Sequence, residues 1–121
     1  LEDLVAVSNL IQGVKFKCRP FTESLKRRLI KNNDFVYLDP PYVKKYTNSF
    51  VSYTNEGFDV NSCKELFRIT KRLPRFLMSN ADAPLVRQEF NTYKIIDIST
   101  THSVDSKDPG KKVIEVLITK I

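Results

Sequence analysis

Phe35-Val36-Tyr37-Leu38-Asp39-Pro40-Pro41-Tyr42 is the stretch that decides how this chain of 121 residues folds. Four consecutive apolar residues read as a strand covered on both faces, the usual pattern of a parallel sheet. The next four place a carboxylate, a rigid peptide carbonyl and an aromatic ring at the carboxyl end of that strand. Ligands in open α/β sheets bind at that end. The combination suits chemistry on the exocyclic amino group of a flat base. The competing reading is a plain turn, since Asp and Pro are both turn formers.

Working outward, residues 1–12 carry Leu1, Leu4, Val5 and Ile11 at helical spacing, and Gly13 stops the pattern. Val14, Phe16 and Cys18 alternate with Lys15 and Lys17, which predicts a half-exposed strand ended by Pro20. Thr22 is a candidate cap for a helix bearing Leu25, Leu29 and Ile30. Residues 43–58, with Tyr46, Phe50, Tyr53 and Phe58, read as a long, mobile loop of the kind that is often functional. Asp59 caps the next helix, whose apolar face is Cys63, Leu66, Phe67, Thr70 and Leu73, before Pro74. Residues 76–78 form a short strand, and Asp82 or Ala83 before Pro84 starts a short helix running to Phe90. Two more strands, 94–98 and 113–119, flank a polar segment with the turn signal Asp108-Pro109-Gly110. Helices between strands imply an α/β fold with a mainly parallel sheet. The last two strands have no helix between them and are expected to pair antiparallel. One domain over residues 1–121 accounts for the pattern.

Composition excludes some classes. Apolar residues make up 41%, too many for a disordered chain, and no stretch approaches the roughly 20 apolar residues of a membrane span. The net charge is +6, from 20 Lys and Arg against 14 Asp and Glu. A positive surface favours polyanions without specifying nucleic acid. Cys18 and Cys63 lack metal-type spacing and read as two reduced, buried thiols. That reading, with no targeting segment, points to the cytoplasm. The acidic, methionine-free start Leu1-Glu2-Asp3 leads us to expect a piece of a longer polypeptide.

These pieces together resemble the Dam-type, adenine-specific (N6) DNA methyltransferases, over residues 14–121. The resemblance rests on Asp39 to Tyr42, on Asn48-Ser49-Phe50, Tyr53 and Phe58, and on Leu77-Met78-Ser79-Asn80. It extends to Lys111-Lys112-Val113 and Glu115-Val116-Leu117-Ile118. It implies a partial Rossmann-like, S-adenosylmethionine-dependent methyltransferase fold with an antiparallel final strand pair, its first strands missing. It also implies methyl transfer from S-adenosylmethionine to an adenine flipped out of double-stranded DNA, as in bacterial or viral restriction-modification systems.

The residues make their own physical case. The adenine amino nitrogen is a poor nucleophile because its lone pair is delocalised into the ring. Asp39 can supply one charged acceptor for its hydrogens and the Pro40 carbonyl a second, held still because Pro40 and Pro41 fix φ. Such preorganised groups stabilise positive charge developing on nitrogen. Tyr42 can stack on the base, worth about 1–3 kcal/mol. Asp39, Pro40, Pro41 and Tyr42 are therefore the candidate catalytic residues, and Tyr53, Asn80, Phe50, Lys111 and Lys112 the candidate substrate-binding ones. Asp39 is also the one candidate cofactor-binding residue. Tyr53 and Phe50 can equally pack beneath their loop, Asn80 can cap a helix or strand end, and Lys44, Lys45, Lys107, Lys111 and Lys112 can be a solvated face. His102 has no ligand partner at metal spacing, and no metal site is expected.

The chain departs from the resembling family in its glycines. Relatives carry a Phe-x-Gly-x-Gly turn that approaches the cofactor, whereas Gly13, Gly57 and Gly110 are scattered. Pro20 stands where relatives often carry an Asp beside the position of Phe21. We therefore expect a catalytic portion that is inactive alone and needs an N-terminal part or self-association. A non-catalytic nucleic-acid-binding remnant is the alternative. Methylation of RNA or of a protein amide is a third reading, disfavoured because related enzymes of that kind more often carry Asn where Asp39 stands.

Overall fold

The computed structural model describes residues 2–43, 58–101 and 112–121. Among them the order is α1 (Glu2–Leu10), α2 (Phe21–Ser24), a 3-10 turn (Arg27–Leu29), β1 (Val36–Leu38), α3 (Val60–Thr70), β2 (Phe76–Ala81), α4 (Pro84–Glu89), β3 (Lys94–Thr101) and β4 (Lys112–Lys120). The four strands form one sheet in the order β1-β2-β4-β3. β1 and β2 are parallel, with Leu38 opposite Met78. β4 runs antiparallel to β2 on one side and to β3 on the other. The fold is mixed α/β.

Alternation assigns the two faces of the sheet. Phe76 and Met78 of β2 and Val116 and Ile118 of β4 are fully buried. They pack with Cys63 and Phe67 of α3, Val86 of α4, and Leu73 and Phe90. Phe90 sits edge-to-face on Phe67 at a centroid distance of 5.0 Å, which adds aromatic geometry to apolar burial. The other face carries Tyr37, Leu77, Leu117 and Ile96. Tyr37 is 58% exposed and Ile96 40%.

Local chemistry explains the helices that formed as expected. Asp59 accepts the Ser62 N–H at 2.8 Å, the N-cap bond that starts α3. That bond to the Ser62 backbone holds the Asp59 carboxyl below its ordinary pKa. Thr70, fully buried, donates to the Leu66 carbonyl at 2.8 Å and so lies in the core without an unpaired hydroxyl. Pro84 opens α4 at a position where its missing N–H costs nothing. Arg87 ties α4 to the sheet, donating to Asp82 at 2.8 Å and to Asp97 at 2.6 Å.

Several expectations are overturned. The sheet is not mainly parallel, since only one of its three pairings is. Residues 14–18 form no strand; Val14 and Phe16 are 51% and 77% exposed. With no neighbour to accept its backbone, the alternating pattern stays extended and unpaired. Cys18 is consequently exposed, and only Cys63 is the buried thiol that was expected. The Thr22-capped helix shrinks to α2 and the 3-10 turn, with Pro20 at the N-cap and no side-chain cap bond. Strand β2 is longer than predicted because polar Ser79 and Asn80 continue its ladder against β4. The aromatic loop with Tyr46, Phe50 and Tyr53, and His102, Lys107 and Lys111, lie outside the described residues.

Candidate active site

The Asp39–Tyr42 segment leaves β1 and folds over the end of β2. Parallel pairing sets the neighbours: Leu38 is opposite Met78, so the next residues out, Asp39 and Ser79, are adjacent. The Ser79 hydroxyl donates to Asp39 Oδ1 at 2.6 Å and lies 3.4 Å from the Leu38 carbonyl. Asp39 is exposed, and its second carboxylate oxygen has no partner among the described residues. Pro40 is half-buried and Pro41 exposed.

Tyr42 lies half-buried across β2. Its hydroxyl donates to Glu115 Oε2 on β4 at 3.3 Å. Burial pushes the phenol above its ordinary pKa. The Ser79 hydroxyl opposes this, and the negative charges of Glu115 and Asp39 add to it. Neutral Tyr42 is thus the stable form, as a hydrogen-bond donor to a carboxylate should be.

Asn80 works from the other face. It is fully buried, and Oδ1 accepts from the backbone N–H of Val43 at 3.0 Å and of Ala81 at 2.9 Å. These two bonds fix the orientation of the amide. Its Nδ2 is buried with no acceptor among the described residues. Val43 enters the core at 7% exposure. The segment therefore straddles the end of β2, with Asp39 and Tyr42 on the open face and Val43 anchored on the helical face.

The structure thus brings together Asp39, Pro40, Pro41, Tyr42 and Asn80. It does not place Phe50, Tyr53 or Lys111, which lie outside the described residues. Lys112 begins β4, and its side chain is also outside them. The sequence pattern singled out Ser79 and Glu115 only as parts of longer motifs and gave neither a role. Register is the signal that finds them: Ser79 follows the partner of Leu38, and Glu115 is opposite Ala81.

At this strand end the described side chains include a carboxylate, Asp39, and a phenol, Tyr42. Gly13 is the one glycine among the described residues, so they contain no glycine-rich cradle for a cofactor. A Cβ on Gly13 would meet no protein atom within 4 Å. The described residues hold no group of three metal-ligating side chains, and no helix among them is long and apolar enough to cross a membrane.

Several known proteins are similar to this chain. The chain is 30% identical over 113 residues to the type II methyltransferase M1.LlaDCHI of Lactococcus lactis subsp. cremoris, covering 88% of this chain and 39% of that protein. It is 26% identical to the DNA adenine methylases of Salmonella typhi and Escherichia coli (strain K12), covering 88% of this chain and 40% of each. The chain therefore spans about two fifths of the length of these curated relatives. A family model for the D12 class of N6 adenine-specific DNA methyltransferases matches residues 1–104, and the chain belongs to that family.

Proposed function

We propose that this chain supplies the amine-gripping half of a DNA adenine N6-methyltransferase, acting on an adenine flipped out of double-stranded DNA. The observation that carries the reading is Asp39: an exposed carboxylate at the carboxyl end of β1, with one oxygen that has no partner among the described residues. Asp39 and the Pro40 carbonyl accept the two hydrogens of the adenine amine. The nitrogen then pyramidalises and its lone pair localises on one side. Pro41 stiffens the peptide that presents this carbonyl. Tyr42, its hydroxyl tethered to Glu115, offers a ring of fixed orientation for stacking.

S-adenosylmethionine is the proposed methyl donor, in keeping with the family, and it supplies an electrophilic methyl group. The residues in this chain fit the amine and only the edge of the donor, at Asp39. On this reading the sheet is the later part of a Rossmann-like methyltransferase sheet, and the 121 residues alone do not turn over. Phe50 and Tyr53 close the base pocket. Asn80, expected from the sequence to bind the base, is buried on the helical face and serves the site through the Val43 end of the segment that its Oδ1 holds. Lys111 and Lys112 meet backbone phosphates, which position the duplex without reading its sequence. The enzyme works in the cytoplasm, in a restriction-modification setting.

The test is methyl transfer by the full gene product with labelled S-adenosylmethionine and duplex DNA, followed by nucleoside analysis. N6-methyladenine is the expected product, and Asp39→Ala should abolish it while DNA is still bound. Full activity in Asp39→Ala would overturn the assignment. DNA binding without any transfer in the wild-type gene product would favour the remnant reading instead.

A further inference from the structure

We infer that Ser79 is the positioning residue of this site: it sets the direction in which Asp39 presents its free oxygen. The inference rests on the amine-gripping role proposed for Asp39 and adds a second residue to it. Asp39 is exposed and belongs to none of the ion pairs among the described residues. An exposed carboxylate without a partner rotates freely about its side-chain bonds and loses the alignment that a proximity effect needs. Among the described residues the side chain that bonds it is the Ser79 hydroxyl, 2.6 Å from Oδ1. That is the short range expected when a hydroxyl donates to a charged oxygen.

Three features make this contact suited to positioning. The hydroxyl has one proton and its shortest contact is Asp39 Oδ1 at 2.6 Å, against 3.4 Å to the Leu38 carbonyl, with the Tyr42 phenol as a further competitor, so the charged carboxylate is the strongest claimant. Ser79 is 5% exposed and paired with Leu117 of β4, one residue past the end of the β1 ladder, so its own position is set by the sheet and not by solvent. The bond occupies one carboxylate oxygen and leaves the other for a ligand. A bond from Ser79 therefore selects one of the two oxygens and fixes the plane of the group. Ser79 touches no reacting atom in this scheme and acts only through Asp39.

The experiment is steady-state methyl transfer by the full gene product, comparing wild type, Ser79→Ala, Ser79→Cys, Ser79→Thr and Asp39→Ala. Ser79→Ala should lower kcat about 10- to 100-fold, the scale of a misplaced catalytic group, with KM for DNA changed less than about two-fold. Ser79→Thr, which keeps the hydroxyl, should recover most of the loss. If Ser79→Ala does not fold, Ser79→Cys decides, because it keeps the size and replaces the hydroxyl by a weak donor. A kcat within two-fold of wild type in Ser79→Ala or Ser79→Cys, with Asp39→Ala inactive, overturns the role of Ser79 and leaves that of Asp39 standing. Recovery by Cys equal to that by Thr also overturns it. An active Asp39→Ala instead removes the reading on which the inference is built.

Discussion

The side-chain oxygen of Asn80 accepts the backbone N–H of Val43 at 3.0 Å, tying the end of the Asp-Pro-Pro-Tyr segment to the strand beside it. The same oxygen accepts from Ala81, so a single buried atom serves two backbone donors. Asn80→Ala leaves both without this acceptor. Each unsatisfied buried group costs about 1–3 kcal/mol, so the variant should lose about 2–5 kcal/mol of stability. Urea denaturation reads this directly, and a loss below about 1 kcal/mol would show that the latch is not made.

Alkaline pH should loosen the open face through Tyr42. Its phenol lies above the ordinary value of 10.0, chiefly through burial, with Glu115 and Asp39 contributing. A group whose folded pKa is raised holds its stabilising effect below the unfolded pKa and loses it as pH rises through the folded one. The contribution is therefore complete below pH 10 and fades above it. Thermal melts from pH 8 to 11 should show this fall in wild type and a shallower one in Tyr42→Phe. Parallel curves would mean that Tyr42 is not held as described.

The two thiols should differ sharply in reactivity. Cys18 is exposed, whereas Cys63 is buried in α3, where burial and the nearby Glu89 push its thiol up to about 11. Thiolate is the reactive form, so Cys63 should resist a thiol reagent at pH 8 until the protein unfolds. Counting modified thiols by mass should give one fast adduct, lost in Cys18→Ser, and a second only in denaturant.

Expressed alone, these 121 residues should self-associate. Tyr37, Leu77, Leu117 and Ile96 form an apolar stripe on the face away from the helices, and Leu4, Val5 and Leu10 of α1 are 71%, 55% and 82% exposed. Strand β1 is also an edge, a ready template for further pairing. Sedimentation should show concentration-dependent growth that Tyr37→Lys with Ile96→Lys reduces. A tight wild-type monomer at high concentration would contradict it.

Much of this structure was legible because it follows from local rules. Asp59 ahead of Cys63, Leu66 and Phe67 gave a capped amphipathic helix, and the missing helix between the last two strands gave their antiparallel pairing. The position of Asp39 at a strand end was readable for the same reason. What escaped was set by partners distant in sequence. Residues 14–18 have the alternation of a strand, yet a strand also needs a neighbour. The strand expected over residues 76–78 runs on through Ser79 and Asn80, where one side chain bonds a carboxylate and the other accepts two backbone amides. Glu115 acquired its contact with Tyr42 only through the insertion of β4 beside β2.

That insertion has a consequence for how the molecule is made. β4 follows β3 in the chain and yet is an inner strand, since it lies between β2 and β3. During translation β3 emerges before the strand it pairs with among the described residues, and one side of β2 waits for the nine residues of β4 to leave the ribosome. A premature stop before Lys112 would remove the middle of the sheet, not a dispensable tail, and would take with it the carboxylate that steadies Tyr42.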